Sequence, residues 1–237
     1  MDQAEAGVPS GRRLTAPGRK TRDRIVQTAA DLMHHRGVAG TSIPDVQAAA
    51  HVSASQIYHY FGDKQGLIRA VIQHRTDEKI LGQQPLIDNL DSMAALRRWC
   101  EDAAVRQEAS GCEGGCEIGS LASELADTDP SARADLALAF EHWEGPIRSG
   151  LTRMQDRGEL SGDADVSALA TALLAAIQGG MLLAQVRRSA TAYRLAVSVV
   201  LDHIESYGAA GTTGGTTGGT KSKVIPSSHT RASTTGK

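Results

Sequence analysis

Apolar residues recur at helical spacing along most of the chain, and an alternating strand pattern is nowhere sustained. Ile25, Ala29, Leu32 and Met33 stand at i, i+4, i+7 and i+8, which predicts a helix over residues 21–36 that Gly37 ends. A shorter helix is predicted over residues 44–50. Ser42 can cap it by accepting an orphan backbone N–H, and proline at 44 is tolerated in a first turn. His51 then occupies a tight turn in a left-handed conformation, where glycine would be the easy choice. Ser53 caps a third helix. Along it Ile57 and Phe61 share a face with Val52, while Ser55, Gln56, Tyr58 and His59 point outward. A fourth helix runs from Lys64 through Leu67, Ile68, Val71 and Ile72 toward Leu81, closed by Gly82 and Pro85.

The pattern continues into a larger helical body. Met93, Leu96, Cys100 and Ala104 predict one helix, and Leu136, Phe140, Trp143, Ile147, Leu151 and Met154 another, with Pro146 expected to kink it. The last two helices fall at residues 166–187 and 191–207. Residues 166–186 carry no charge over a span long enough to cross a bilayer. Ser167, Thr171, Gln178, Gln185, two glycines and many alanines argue instead for a helix buried on two sides, so no membrane partner is expected. At the ends the periodicity stops. Residues 1–17 read as a disordered leader, and residues 208–237 as a Gly/Thr-rich tail that cannot bury a core. The divisions are therefore a leader at 1–17, a small head at 18–63, a body at 64–207 and a tail at 208–237.

Composition agrees with packed helices: 41% of the 237 residues are apolar and only 3% aromatic. Charge changes the picture more. Residues 1–75 carry ten Lys/Arg against six Asp/Glu, residues 76–207 eleven against twenty-one, and the tail four against none. A basic end ahead of an acidic body presents one surface to phosphates and keeps the other off them. No apolar signal region precedes the first helix, which points to the cytoplasm.

Residues 41–67, TSIPDVQAAAHVSASQIYHYFGDKQGL, form a helix-turn-helix pattern whose exposed face of small polar and aromatic groups suits a DNA groove. Within it VSASQIYHYFGDKQGL resembles the recognition-helix signature of the TetR family of bacterial transcriptional regulators. Val52, Ser53, Ile57, Tyr58, Phe61, Lys64 and Leu67 fall at that signature's spacing, and Thr41-Ser42 stands where the family starts its second helix. His51 departs from the family's usual glycine. Residues 111–129, GCEGGCEIGSLASELADTD, are similar to a TetR subgroup of LmrA- and YxaF-type regulators, whose inducers are small organic molecules.

The resemblance implies an all-α protein: an N-terminal three-helix DNA-binding domain and a larger helical ligand-binding and dimerisation domain. It implies a homodimeric repressor on a palindromic operator in double-stranded DNA, released by a small organic effector and needing no cofactor. Thr41, Ser42, Tyr58, Tyr60 and Lys64 are expected on phosphates, Ser53 at the cap, and Ser55, Gln56 and His59 on base edges. Leu173, Ile177, Gly180 and Ala184, with Val197, Val200 and Ile204, form the expected dimer stripe. Met93, Trp99, Cys100, Trp143, Met154, Gln178 and Met181 are expected to line an effector pocket, with an uncharged or weakly charged molecule favoured.

Cys112 and Cys116 leave two alternatives open: reduced thiols in a packed turn, or a redox pair on a DNA-binding regulator. Their segment holds no His, so a metal site is not expected. Enzyme signatures are missing: the chain has no nucleophile elbow, dinucleotide fingerprint, Walker loop or paired-His zinc motif. An architectural DNA-binding protein would not need the large acidic body.

Overall fold

The computed structural model describes residues 14–208. Among these there are nine α-helices and no strand: α1 (Ala16–Arg36), α2 (Ile43–Ala50), α3 (Ala54–Phe61), α4 (Lys64–Leu81), α5 (Met93–Ala109), α6 (Glu117–Leu125), α7 (Pro130–Asp156), α8 (Val166–Arg187) and α9 (Thr191–Ser206). The all-α reading holds, and α4, α5, α8 and α9 lie where the periodicity placed them. Two boundaries differ. α1 begins at Ala16 because Thr15 caps it through Gly18 N and Pro17 fits the first turn, so helix starts inside the segment read as leader. Gly208, assigned to the tail, still pairs with Leu160 in an isolated antiparallel bridge. Residues 1–13 and 209–237 lie outside the described residues.

α6 was not foreseen. Its nine residues bury only Ile118, Leu121 and Leu125, a stripe too short to stand out beside the glycines before it. α7 runs unbroken through Pro146.

α1 to α3 and the first turns of α4 form the head, around Ile25, Ala29, Met33, Val46, Ala50, Ile57 and Leu67. α4 continues into the body, where it packs on α6 and α7; α7 in turn packs on α8, and α8 lies along α9. α8 is the one described helix long and apolar enough to cross a membrane. One side of it is inside the protein: Leu169, Leu173, Ile177, Met181 and Ala184 are buried. At Gly180 the α9 backbone comes so close that a Cβ would sit 2.8 Å from Tyr193 Cα.

Candidate nucleic-acid interface

Local hydrogen bonds set the outward face of the head. Ser42 Oγ accepts from Asp45 N at 3.3 Å while the Asp45 carboxylate accepts from Ser42 N at 2.8 Å, closing a reciprocal cap on α2. The Ser42 hydrogen bonds hold the Asp45 carboxyl below its usual pKa. His51 adopts the left-handed conformation at φ 52°, as its place between two helices requires. Ser53 repeats the cap on α3: its Oγ accepts from Gln56 N at 3.2 Å, and Gln56 Oε1 accepts from Ser53 N at 2.9 Å. Ile57, fully buried, fixes the rotation of α3 and leaves Ser55, Gln56, Tyr58 and His59 exposed.

The expected DNA-contacting residues divide on this geometry. Ser55, Tyr58 and His59 are exposed on the outer face, with the Ser55 hydroxyl hydrogen-bonded to that of Ser53 at 2.8 Å. Gln56 shares that face but its carbonyl is committed to the cap, so its amide N–H groups are what it can offer a base. Ser42 and Ser53 are exposed with hydroxyls engaged in capping. Tyr60 is half-buried against the core. Lys64 donates from Nζ to the Val38 carbonyl at 3.0 Å, which anchors the ammonium beside α3 with donors to spare. Thr41 is a correction: it is 1% exposed and its Oγ1 donates to the Gly37 carbonyl at 2.9 Å, so its side chain braces the turn and cannot reach a phosphate. Arg19, Lys20 and Arg24 add exposed positive charge at the start of α1.

Two polar ties run from α6 into this head. Glu124 Oε2 accepts from Val38 N at 2.7 Å, on the same residue whose carbonyl Lys64 holds. Arg75, buried on α4, meets Asp31 of α1 at 2.7 Å, Glu78 at 2.7 Å and Glu117 of α6 at 3.5 Å. Burial disfavours the Arg75 charge, yet Glu78, Glu117 and Asp31 more than restore it, and its pKa lies above the usual arginine value.

The expected effector residues do not converge. Trp99 is core and donates to Gln83 Oε1 at 2.9 Å; Met154 and Met181 are core; Met93 packs at its edge. Cys100 faces the α5–α9 side, its thiol pushed up to about 12 by burial. Only Gln178 lines the groove of about 340 Å³ between α6 and α8, with Cys116, Ser120, Phe140, Leu182 and Gln185. Trp143 is buried beneath the ammonium of Lys79, which stands 4.7 Å from its ring centroid. Cys112 and Cys116 are free and buried, and Cys116 Sγ caps α6 by accepting from Gly119 N.

The expected dimer stripe also needs correction. Leu173, Ile177, Gly180, Ala184, Val197 and Ile204 are buried within one protomer and Val200 is half-buried, because this face holds α8 against α9 and the body. The opposite face of the same helices is exposed and apolar: Leu182 60%, Val186 75%, Leu195 64% and Val199 69%. Sequence reasoning also missed Arg75, Lys79 and Glu124. The first two carried a signal, since Ile68, Ile72, Arg75 and Lys79 continue one helix face and put two cations on a buried stripe.

A small helix-turn-helix head carried on a larger helical body is the architecture of a DNA-binding regulator. Residues 25–71 match the family model described as bacterial regulatory proteins, tetR family, and residues 92–200 the one described as tetracyclin repressor-like, C-terminal domain. Together these cover more than half of the chain, which belongs to the TetR family of transcriptional regulators. It is 27% identical over 171 residues to the HTH-type transcriptional repressor DhaR of Mycobacterium sp. strain GP1, covering 71% of this chain and 84% of that one. It is 27% identical over 163 residues to the transcriptional regulator AcuR of Cereibacter sphaeroides, covering 68% and 74%. A solved TetR transcriptional regulator from Chloroflexus aurantiacus superposes with a TM-score of 0.67 at 27% identity, covering 80% of this chain and 96% of that one.

Proposed function

We propose that the protein is a cytoplasmic, ligand-responsive repressor that binds a palindromic operator as a homodimer and is released by a small organic inducer. The observation that carries the ligand response is the placing of α6. Its first turns wall the groove at Cys116, Gly119 and Ser120, while Glu124 near its other end is hydrogen-bonded to the head at Val38. A ligand that displaces α6 therefore acts on the turn before α2 and on the Lys64 anchor. Its effect on operator affinity equals the ratio of its affinities for the two arrangements.

Dimerisation is assigned to the exposed apolar face of α8 and α9, not the buried stripe first expected. Two copies joined there form a four-helix bundle and set the reading faces one DNA turn apart or a multiple of it. The small residues Ala172, Ala175 and Gly179 lie on the exposed side of α8 and let the partner helix approach. We also place the chain beside LmrA- and YxaF-type regulators, on the resemblance of residues 111–129, which would fit an organic inducer. The redox alternative has less support, because Cys112 and Cys116 expose 4% and 8% of their surface.

Selection of bound sequences from random DNA tests the proposal. The expected product is an inverted repeat; enrichment of single, unpaired half-sites, or of nothing, contradicts the dimeric repressor.

A further inference from the structure

One cation in the body has no protein anion to answer it. Lys79 belongs to the inward face of α4, and its ammonium is held over the Trp143 ring, a contact that steadies the charge but leaves three N–H donors unused. Among the described residues its Nζ makes no hydrogen bond and no ion pair. Glu117, the carboxylate that favours its charge, is engaged by Arg75 at 3.5 Å. Burial pulls the Lys79 pKa below that of a free lysine.

The two carboxylates nearby are already engaged, Glu117 by Arg75 at 3.5 Å and Glu113 by Arg188 at 3.7 Å. A cavity of about 150 Å³ is lined by His34, Lys79, Gly114, Gly115, Cys116 and Glu117 among others. It lies at the start of α6, whose positive pole favours an anion. Cys116 also lines the 340 Å³ groove, so one residue separates the charged space from an apolar one bordered by Ala122, Phe140 and Leu182. His34, which lines the first, and Gln178, which lines the second, have a buried nitrogen without a partner, Nδ1 and Nε2, as does Trp143, itself 1% exposed, at Nε1 beneath Lys79. The Trp143 and Gln178 nitrogens can only donate. Gly115 lets the loop close here, for a Cβ at that position would collide with the Gln185 amide.

We propose, resting on the ligand-responsive reading above, that this paired space binds a small organic carboxylate, with its anionic group on Lys79 and its apolar part between α6 and α8. Charge sets the class. A cationic ligand would meet Lys79, and a neutral one would leave the ammonium unanswered. A dianion such as a phosphate monoester would find a single uncommitted cation with Glu113 and Glu117 on the cavity wall. A monoanion with an apolar tail matches both halves.

The test uses the full-length protein and two matched series: acetate, butanoate, hexanoate and benzoate against acetamide, butanamide, hexanamide and benzamide. Thermal melting of the unaltered chain and tryptophan emission of a Trp99→Phe protein, which reports Trp143 alone, are followed to about 10 mM, where even a millimolar site saturates. Hexanoate and benzoate should raise the melting temperature saturably and shift the emission, acetate more weakly, and each acid should bind about ten- to hundredfold tighter than its amide. Lys79→Met should abolish that preference and Lys79→Arg should keep it. Amides that equal the acids, a preference that survives Lys79→Met, or no saturation by any acid overturns the inference. Operator titrations separate the two levels. Neutral compounds that bind and release DNA would uphold the ligand response and sink the carboxylate, whereas acids that bind at Lys79 without altering operator affinity would do the reverse.

Discussion

The head and the body hold themselves together by different means. Around the reading face of the head the polar side chains act mostly locally: Ser42 with Asp45, Ser53 with Gln56 and Asp63 with Gly66 N each close a helix end across three residues, and Lys64 adds one longer tie to Val38. In the body Ser92, Cys116, Asp129 and Asp165 cap helices in the same way, but other polar side chains act at long range. Arg97 reaches Asp202 and Glu205, Arg194 reaches Glu101 and Glu108, and Glu124 reaches back to Val38 across 86 positions. A unit whose ends are capped by its own neighbours keeps its shape when it moves. One tied together across the chain changes shape when a tie is lost. The reading face is therefore expected to be displaced whole, and the body to be where ligand and partner act.

The largest effect should come from the surface that the body leaves open. Leu195→Glu with Val199→Glu places charge on the exposed face of α8 and α9 without touching the core. The protein should sediment as a monomer and lose operator affinity by at least about hundredfold. Gly180→Leu should behave differently, overpacking Tyr193 inside the protomer and lowering folding stability by about 1 to 3 kcal/mol. A stable, monomeric Gly180→Leu would return the interface to the buried stripe.

Next comes the tie at Arg75. Arg75→Met strips the guanidinium from Asp31, Glu78 and Glu117, and because those carboxylates are half-exposed the cost in urea unfolding should be about 2 kcal/mol rather than the larger value of a sealed ion pair. A local change in the head should cost less. Ser53→Ala removes one cap and should lower stability by about 1 kcal/mol, while operator sequence preference stays the same.

The smallest effect is electrostatic. Hydrogen bonds from Arg194 hold the carboxyls of Glu101 and Glu108 below their usual pKa. A depressed carboxyl contributes stability that is complete above its unfolded pKa, about 4.3 for Glu, and is lost as pH falls through the folded value. Stability measured from pH 6 downward should thus decline below about pH 4.5, and Arg194→Met should flatten that decline. An unchanged acid limb would show that these surface pairs contribute nothing measurable.

The same division explains what could be read in advance. Caps, the His51 turn and the outward face of α3 depend on residues three or four apart, so they were legible one by one. Thr41 was misassigned because its burial depends on Gly37 and on how α1 and α2 close together, which spacing does not report. The buried and exposed faces of α8 are both apolar, with Ile177 on one and Leu182 on the other, and only the position of α9 tells them apart. Trp99, Met154 and Met181 lie in the core, and spacing did not report it for a related reason: they satisfy the composition of a pocket and of a core equally. Lys79 and Arg75 were the overlooked clue, charged residues continuing an apolar stripe.

The contrast between a self-contained head and a tied body is tested most directly by repeating the DNA selection with two variants, Gln56→Ala on the reading face and Glu124→Ala on the α6 tie. Glu124→Ala should enrich the same inverted repeat as the unaltered protein, with a different affinity and a weakened response to ligand. Gln56→Ala should relax the preferred base at one position of each half-site, at a cost of about 1 to 3 kcal/mol on the original sequence. If Glu124→Ala changes which bases are selected while Gln56→Ala leaves them as they were, the reading face has been misplaced and the head is not the rigid unit described.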